Sequence, residues 1–209
     1  MAKNLDPKCK QCRREGEKLM LKGDRCDSAK CAMVKKNYPP GAHGGNRRPR
    51  QSDYSIQLRE KQKAKKIYNI LEKQFRITFE KAKKQKGDAG ENLLKMLETR
   101  LDNTVFRLGF SKSRSHARQL VSHGHFTVGG KKINIPSYQV KAGDVIKIKK
   151  INKKIKAFEN LKEKFKKYEA PGWLNASAED LSGKVLHQPS KKDFDMKINT
   201  QMIVEFYSR

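Results

Sequence analysis

The stretch Leu97–Ile148, LETRLDNTVFRLGFSKSRSHARQLVSHGHFTVGGKKINIPSYQVKAGDVIKI, decides how the rest of the chain is read. Leu97, Leu101, Val105 and Leu108 recur every three to four residues, which predicts a helix with one buried stripe. After Gly109 a second helix is predicted, capped by Ser113, with Ala117, Leu120 and Val121 on its inner face. Gly124 ends it, because glycine reaches the left-handed conformation common at helix termini. The pattern then changes to strands. Phe126–Val128 and Lys131–Ile133 flank Gly129-Gly130, a two-glycine link of the kind primed hairpin turns require. Gly143-Asp144 and then Val145–Ile148 read as another turn and strand, with Ile146 and Ile148 on the covered face. Met96–Lys150 carries eleven Lys/Arg against three Asp/Glu. Arg107, Lys112, Ser113, Arg114, Arg118, His123, Lys131 and Lys132 are therefore candidate contacts to a polyanion. Arg114 and Arg118, four apart, share a helix face.

The strings SRSHARQLVSHGHFTVGG and PSYQVKAGDVI resemble the RNA-binding module named after the ribosomal protein S-four family. That module implies RNA binding and no particular protein, so the flanking sequence must decide.

Charge dominates those flanks. The 209 residues hold 49 Lys+Arg against 22 Asp+Glu, a net charge of +27. The excess is spread along the chain: residues 1–50 carry +9, 51–95 +6, 96–150 +8 and 151–209 +4. Self-repulsion on this scale selects a polyanionic partner, and every part should touch it. Hydrophobic content of 35% is low against the ~45–50% usual for globular domains. A membrane partner is not expected, since no apolar run approaches the roughly 20 residues of a spanning helix. The start, MAKNLDPKCK, lacks the apolar core of a secretory signal, which predicts a cytoplasmic protein.

All four cysteines fall in the first fifty residues, as C-x2-C (Cys9, Cys12), thirteen residues, and C-x4-C (Cys26, Cys31). Two close pairs across a short loop suit a tetrahedral four-thiolate structural zinc site. The competing readings are unrelated reduced thiols and two disulfides, the latter disfavoured in a cytosolic chain. The intervening RREGEKLMLKGDR has too little apolar surface to fold unaided, so metal binding would be folding here. Next comes an irregular strap, NYPPGAHGGNRRPR. Arg13, Arg14, Lys22, Tyr38, His43, Arg47, Arg48 and Arg50 are candidate RNA contacts, Tyr38 by stacking and the arginines on phosphates. His43 is read as a hydrogen-bonding residue rather than a fifth metal ligand.

The framework CKQCRREG, LKGDRC, KCAM and YPPGAHG resembles the zinc-binding, four-cysteine form of the bacterial S-four ribosomal protein family. An α+β fold is expected in three parts. Residues 1–45 form a zinc-bound segment and 46–96 an all-helical subdomain. Residues 97–186 form an inserted S-four-type module, with core 97–150, of two helices and a small antiparallel sheet.

In the helical part Ser52 caps, Arg59 and Lys63 are candidate RNA contacts, and Ile67, Ile70, Leu71, Phe75 and Phe79 form one stripe. Residues 151–167 are predicted helical, Trp173 packed, and residues 180–186 a turn and strand. The ending NTQMIVEFYSR fits strand or helix by pattern. The resemblance favours a helix over 199–209, packed back on the middle helices. It further implies a non-enzymatic constituent of the small ribosomal subunit. Such a protein binds a multi-helix junction in the 5′ domain of the ribosomal RNA early in assembly. It lies near the mRNA entry channel beside ribosomal proteins S-three and S-five, and it affects decoding accuracy. No small-molecule substrate is expected.

Two other readings are weaker. An RNA-modifying enzyme using the module as an adaptor would need a catalytic domain, and only about 60 residues follow the module, without a glycine-rich cofactor loop. A zinc-dependent DNA-binding regulator would use the second module helix as a recognition helix, but its charge would not be dispersed along the chain.

Overall fold

The computed structural model describes residues 4–46, 50–149, 168–177, 180–194 and 198–209. The helix expected over 151–167 lies outside them. The chain divides into two compact units, Met1–Leu93 with Asp195–Arg209, and Leu94–Phe194. Residues 1–45 and the helices that follow therefore share one unit, and the second interrupts the first.

The first unit begins with short helices α1 (Lys8–Glu15), α2 (Asp24–Asp27) and α3 (Ala32–Lys35). Helix α4 (Asp53–Ile67) opens as expected, with Ser52 Oγ accepting from the Ser55 N–H at 3.4 Å. The single stripe expected over residues 67–79 is in fact two elements. Asn69 takes a positive φ of 54°, which ends α4, and α5 (Glu72–Lys83) starts a new axis. Ile67, Ile70, Phe75 and Phe79 are still buried; only Leu71 is half-exposed. The ambiguous ending is helix α9 (Thr200–Tyr207), capped by Asn199 Oδ1 at 3.4 Å from the Met202 N–H. Tyr207 stacks on Phe79 at 4.6 Å, and Phe206 lies 5.7 Å from Tyr54 on α4. The packing against the middle helices holds.

The boundary between the units falls inside α6 (Ala89–Glu98). The long first helix expected for the module breaks after it, and α7 (Leu101–Arg107) begins anew. Residues 138–140 run antiparallel to the break and supply its hydrogen bonds. The Val140 N–H donates to the Thr99 carbonyl at 2.9 Å, and the Leu101 N–H to the Tyr138 carbonyl at 2.8 Å. Leu97, Leu101, Val105 and Leu108 are nonetheless fully buried. A side-chain period survives a break that redirects only the backbone.

Helix α8 (Arg114–Ser122) is capped by Ser113 Oγ, 3.3 Å from the His116 N–H, and Gly124 follows it at φ 69°. Strands β1 (Phe126–Val128) and β2 (Lys131–Lys132) pair with Val128 opposite Lys131. Gly129 and Gly130 both have positive φ (54° and 83°), as a type I′ turn demands. Strand β3 (Val145–Ile148) buries Ile146 and Ile148. Strands β4 (Leu174–Ser177) and β5 (Ser182–Val185) complete an antiparallel sheet of order β2-β1-β3-β5-β4. Strand β4 is a finding the sequence did not announce, because the alternation of Leu-Asn-Ala-Ser covers only four residues and none of them is β-branched or aromatic. Its companion Trp173 is fully buried in the core under the sheet, packed as expected.

Candidate nucleic-acid interface

In the first unit, α1 holds Cys9 and Cys12 one turn apart, α2 carries Cys26, and Cys31 precedes α3. All four are free thiols, and all line one cavity of about 10 Å³. Cys26 Sγ accepts the Lys22 N–H at 3.3 Å, and burial pushes the Cys12 thiol up, reinforced by the other three sulfurs. Four convergent sulfurs match the donor chemistry of a thiophilic ion. Among the described residues, however, no group of three or more His, Cys, Asp or Glu side chains stands arranged around an ion. The donor set is gathered; its final geometry is not drawn tight.

Beyond the thiols, several expected RNA contacts hold the protein itself. Arg13 donates to the Tyr38 and Pro39 carbonyls at 2.8 and 3.1 Å, with its guanidinium 4.7 Å from the Tyr38 ring centroid. This pair ties the strap to α1. Gly44 closes the strap, for a Cβ there would lie 1.9 Å from the Pro39 carbonyl oxygen. Arg14, His43 and Arg59 line an open groove of about 700 Å³ with Pro39, Pro40 and Gln51. Lys22 and Arg50 are exposed, and Arg47 and Arg48 lie outside the described residues.

Helix α4 turns more of its cations inward than its sequence suggests. Glu15, whose side chain is buried, takes Arg59 at 3.4 Å and also Lys66. Lys63 is buried between Glu60 (2.8 Å) and Glu17 (3.2 Å). Burial lowers its pKa, but the two carboxylates more than offset this and hold the ammonium charged. On the other side Glu72 accepts from Lys61 (2.8 Å), Lys65 (2.9 Å) and the Tyr207 hydroxyl (3.0 Å).

The second unit divides its cations sharply. Lys112, His123, Lys131 and Lys132 are exposed. The Lys132 stem passes over Gly124, its Cε 2.5 Å from where a Cβ would be, which brings the β2 lysine to the end of α8 beside His123. The His123 and His125 rings lie 5.9 Å apart. Ser113 is occupied as the α8 cap.

The three arginines of the expected interface point the other way. Arg107 forks onto Glu98 (Nε–Oε2 3.1 Å, Nη2–Oε1 2.9 Å). Arg114, buried, donates to Asn103 Oδ1 at 2.7 Å with its guanidinium 4.6 Å from the Phe106 ring centroid. Arg118, also buried, is 3.5 Å from Asp102, which binds Arg100 as well at 2.9 Å. Burial lowers the Arg118 pKa and Asp102 opposes it. The shared face of Arg114 and Arg118 is real, but it faces α7. Only three acids stand in Met96–Lys150, and two of them, Glu98 and Asp102, are buried against these arginines. Glu98, Arg100 and Asp102 are the residues sequence reasoning missed, and their signal was the closeness of two of the segment's few acids to its arginines.

Residues 3–98 match the family described as the ribosomal protein S4/S9 N-terminal domain, and residues 99–146 match the S4 domain. The border between the two matches falls at the break between α6 and α7. The small ribosomal subunit protein uS4 of Caldicellulosiruptor saccharolyticus is 56% identical over the full length of both chains. Those of Syntrophomonas wolfei and Clostridioides difficile are each 52% identical, again over all of both chains. The chain belongs to the uS4 family. As a uS4 protein it is a structural, non-enzymatic constituent of the cytoplasmic small ribosomal subunit, with an S4 RNA-binding domain. Among the described residues no helix is long and apolar enough to cross a membrane.

Proposed function

We propose that this protein binds a multi-helix junction in the 5′ domain of the small-subunit ribosomal RNA early in assembly. It would then lie near the mRNA entry channel beside ribosomal proteins S-three and S-five and influence decoding accuracy. The family likeness supports the site and the neighbours. The observation that carries the mechanism is the rim of Lys112, His123, Lys131 and Lys132, exposed on a packed module. Double-helical RNA hides its major groove, so a folded junction is recognised by phosphates, 2′-hydroxyls and shape. Cations at fixed separations fit one junction better than generic RNA.

We further propose one structural zinc ion held by Cys9, Cys12, Cys26 and Cys31. When bound, the ion would deprotonate the thiols and draw their helices together. Arg13 and Tyr38 would then carry that order into the strap.

The test is binding of the full chain to a 5′-domain RNA fragment across a salt series, with excess transfer RNA as competitor, before and after chelation. Tight binding that resists the competitor and weakens on chelation is expected. Equal affinity for every RNA would reduce the protein to a polycation and overturn the reading.

A further inference from the structure

Four arginines of the module are held by internal partners. Glu98 is fully buried and takes the Arg107 guanidinium in a two-point fork. Asn103 Nδ2 donates to Glu98 Oε2 at 2.7 Å while its Oδ1 accepts from Arg114, so the grip extends from Arg107 through Glu98 and Asn103 to Arg114. Asp102 takes Arg100 in a second fork (3.1 and 2.9 Å) and Arg118 at 3.5 Å. Fold stability is a poor explanation for this expense of charge, because apolar residues of similar volume often replace buried ion pairs without loss. The geometry offers another. A carboxylate presents two oxygens to a guanidinium much as a phosphate does, and arginine is the side chain best suited to grip either. Such a grip on phosphate carries no information about which RNA is held.

We infer that Glu98 and Asp102 determine specificity by withholding Arg107 and Arg118 from RNA phosphates, leaving contact to the outer lysines and His123. The inference rests on the RNA-binding reading above. Arg107 is the sensitive member. Its side chain retains 14% exposure, so it lies at the edge of the module and can turn outward once its carboxylate is gone.

The experiment compares the full-length wild type with E98Q, R107Q and the double variant. Each is titrated with the 5′-domain fragment and, separately, with bulk transfer RNA across a salt series. Release of Arg107 in E98Q should tighten transfer RNA binding severalfold at low salt. It should also steepen the log–log salt slope by about 0.7–0.9, one added phosphate contact, and lower the preference for the 5′-domain fragment. R107Q should leave the slope on either RNA unchanged, and the double variant should return to the wild-type slope. Three results would overturn the inference. An unchanged slope in E98Q would mean that no cation is released. A slope in the double variant as steep as in E98Q would mean general loosening. A shallower slope in R107Q would mean that Arg107 already touches RNA. If E98Q loses its helical circular dichroism, R107Q, which keeps Glu98, decides alone by the same criterion. Wild type that fails to prefer the 5′-domain fragment would instead refute the proposed function, and the transfer RNA slopes would still report arginine release.

Discussion

The thiol-bearing start of the chain and the S4 module are both basic, yet they differ in what they bury. Between α1 and α3 the buried apolar residues are Cys12, Leu19, Cys26 and Cys31, three of them thiols. In the module a continuous core runs from Leu101 through Phe110, Phe126 and Ile146 to Trp173 and Val185. One region has too little apolar surface to offset the ordering of its backbone; the other has enough to spare room for buried arginines. If the four thiols hold the proposed zinc ion, the two regions should fail separately.

Chelation gives the largest break. Structural zinc supplies on the order of 10 kcal/mol to zinc-finger peptides, and the proposed site would act in the same way. Hydrogen exchange after chelation should rise to unfolded rates across residues 8–35 and stay unchanged across 101–148. Equal deprotection of both would erase the contrast.

The module should respond instead to its core. Leu108→Ala should cost about 2–5 kcal/mol in chemical unfolding, from lost burial and the cavity left behind. Gly183 packs directly on that leucine, and a Cβ there would fall 2.4 Å from both Leu108 methyl carbons. Gly183→Ala should cost about 1–3 kcal/mol by overpacking. The two changes together should cost less than their sum, since the cavity accepts the methyl; additivity would show that they do not share one space.

The smallest effect concerns the clasp of α9. Burial would raise the Glu72 pKa, but hydrogen bonds from Lys61, Lys65 and Tyr207 bring it down to about 2. For a depressed carboxyl the stabilisation is complete above its ordinary value of 4.5 and fades as pH falls toward about 2. Glu72 is partly exposed, so solvent screening keeps the contribution small. Glu72→Gln should lower the melting temperature slightly at pH 6, and the difference from wild type should vanish near pH 2. A constant offset at both pH values would assign the effect to packing.

Much of this protein was legible in its sequence because much of it is local. Ser52, Ser113 and Asn199 cap helices through bonds spanning three residues, and Gly129-Gly130 selects its turn by backbone freedom alone. The cysteine spacing and the sign of the charge are equally independent of folding. What only the tertiary structure decided is direction. The break after Glu98 needs residues 138–140 alongside it, and the end of α4 needs Asn69 in a left-handed conformation that no periodicity foretells. The fate of the arginines is the clearest instance. Arg107, Arg114 and Lys112 are all cations in the sequence, but whether one meets solvent, a carboxylate or an amide oxygen depends on partners nine or eleven positions away. An electrostatic pair is settled by distance and burial in space, and sequence separation encodes neither.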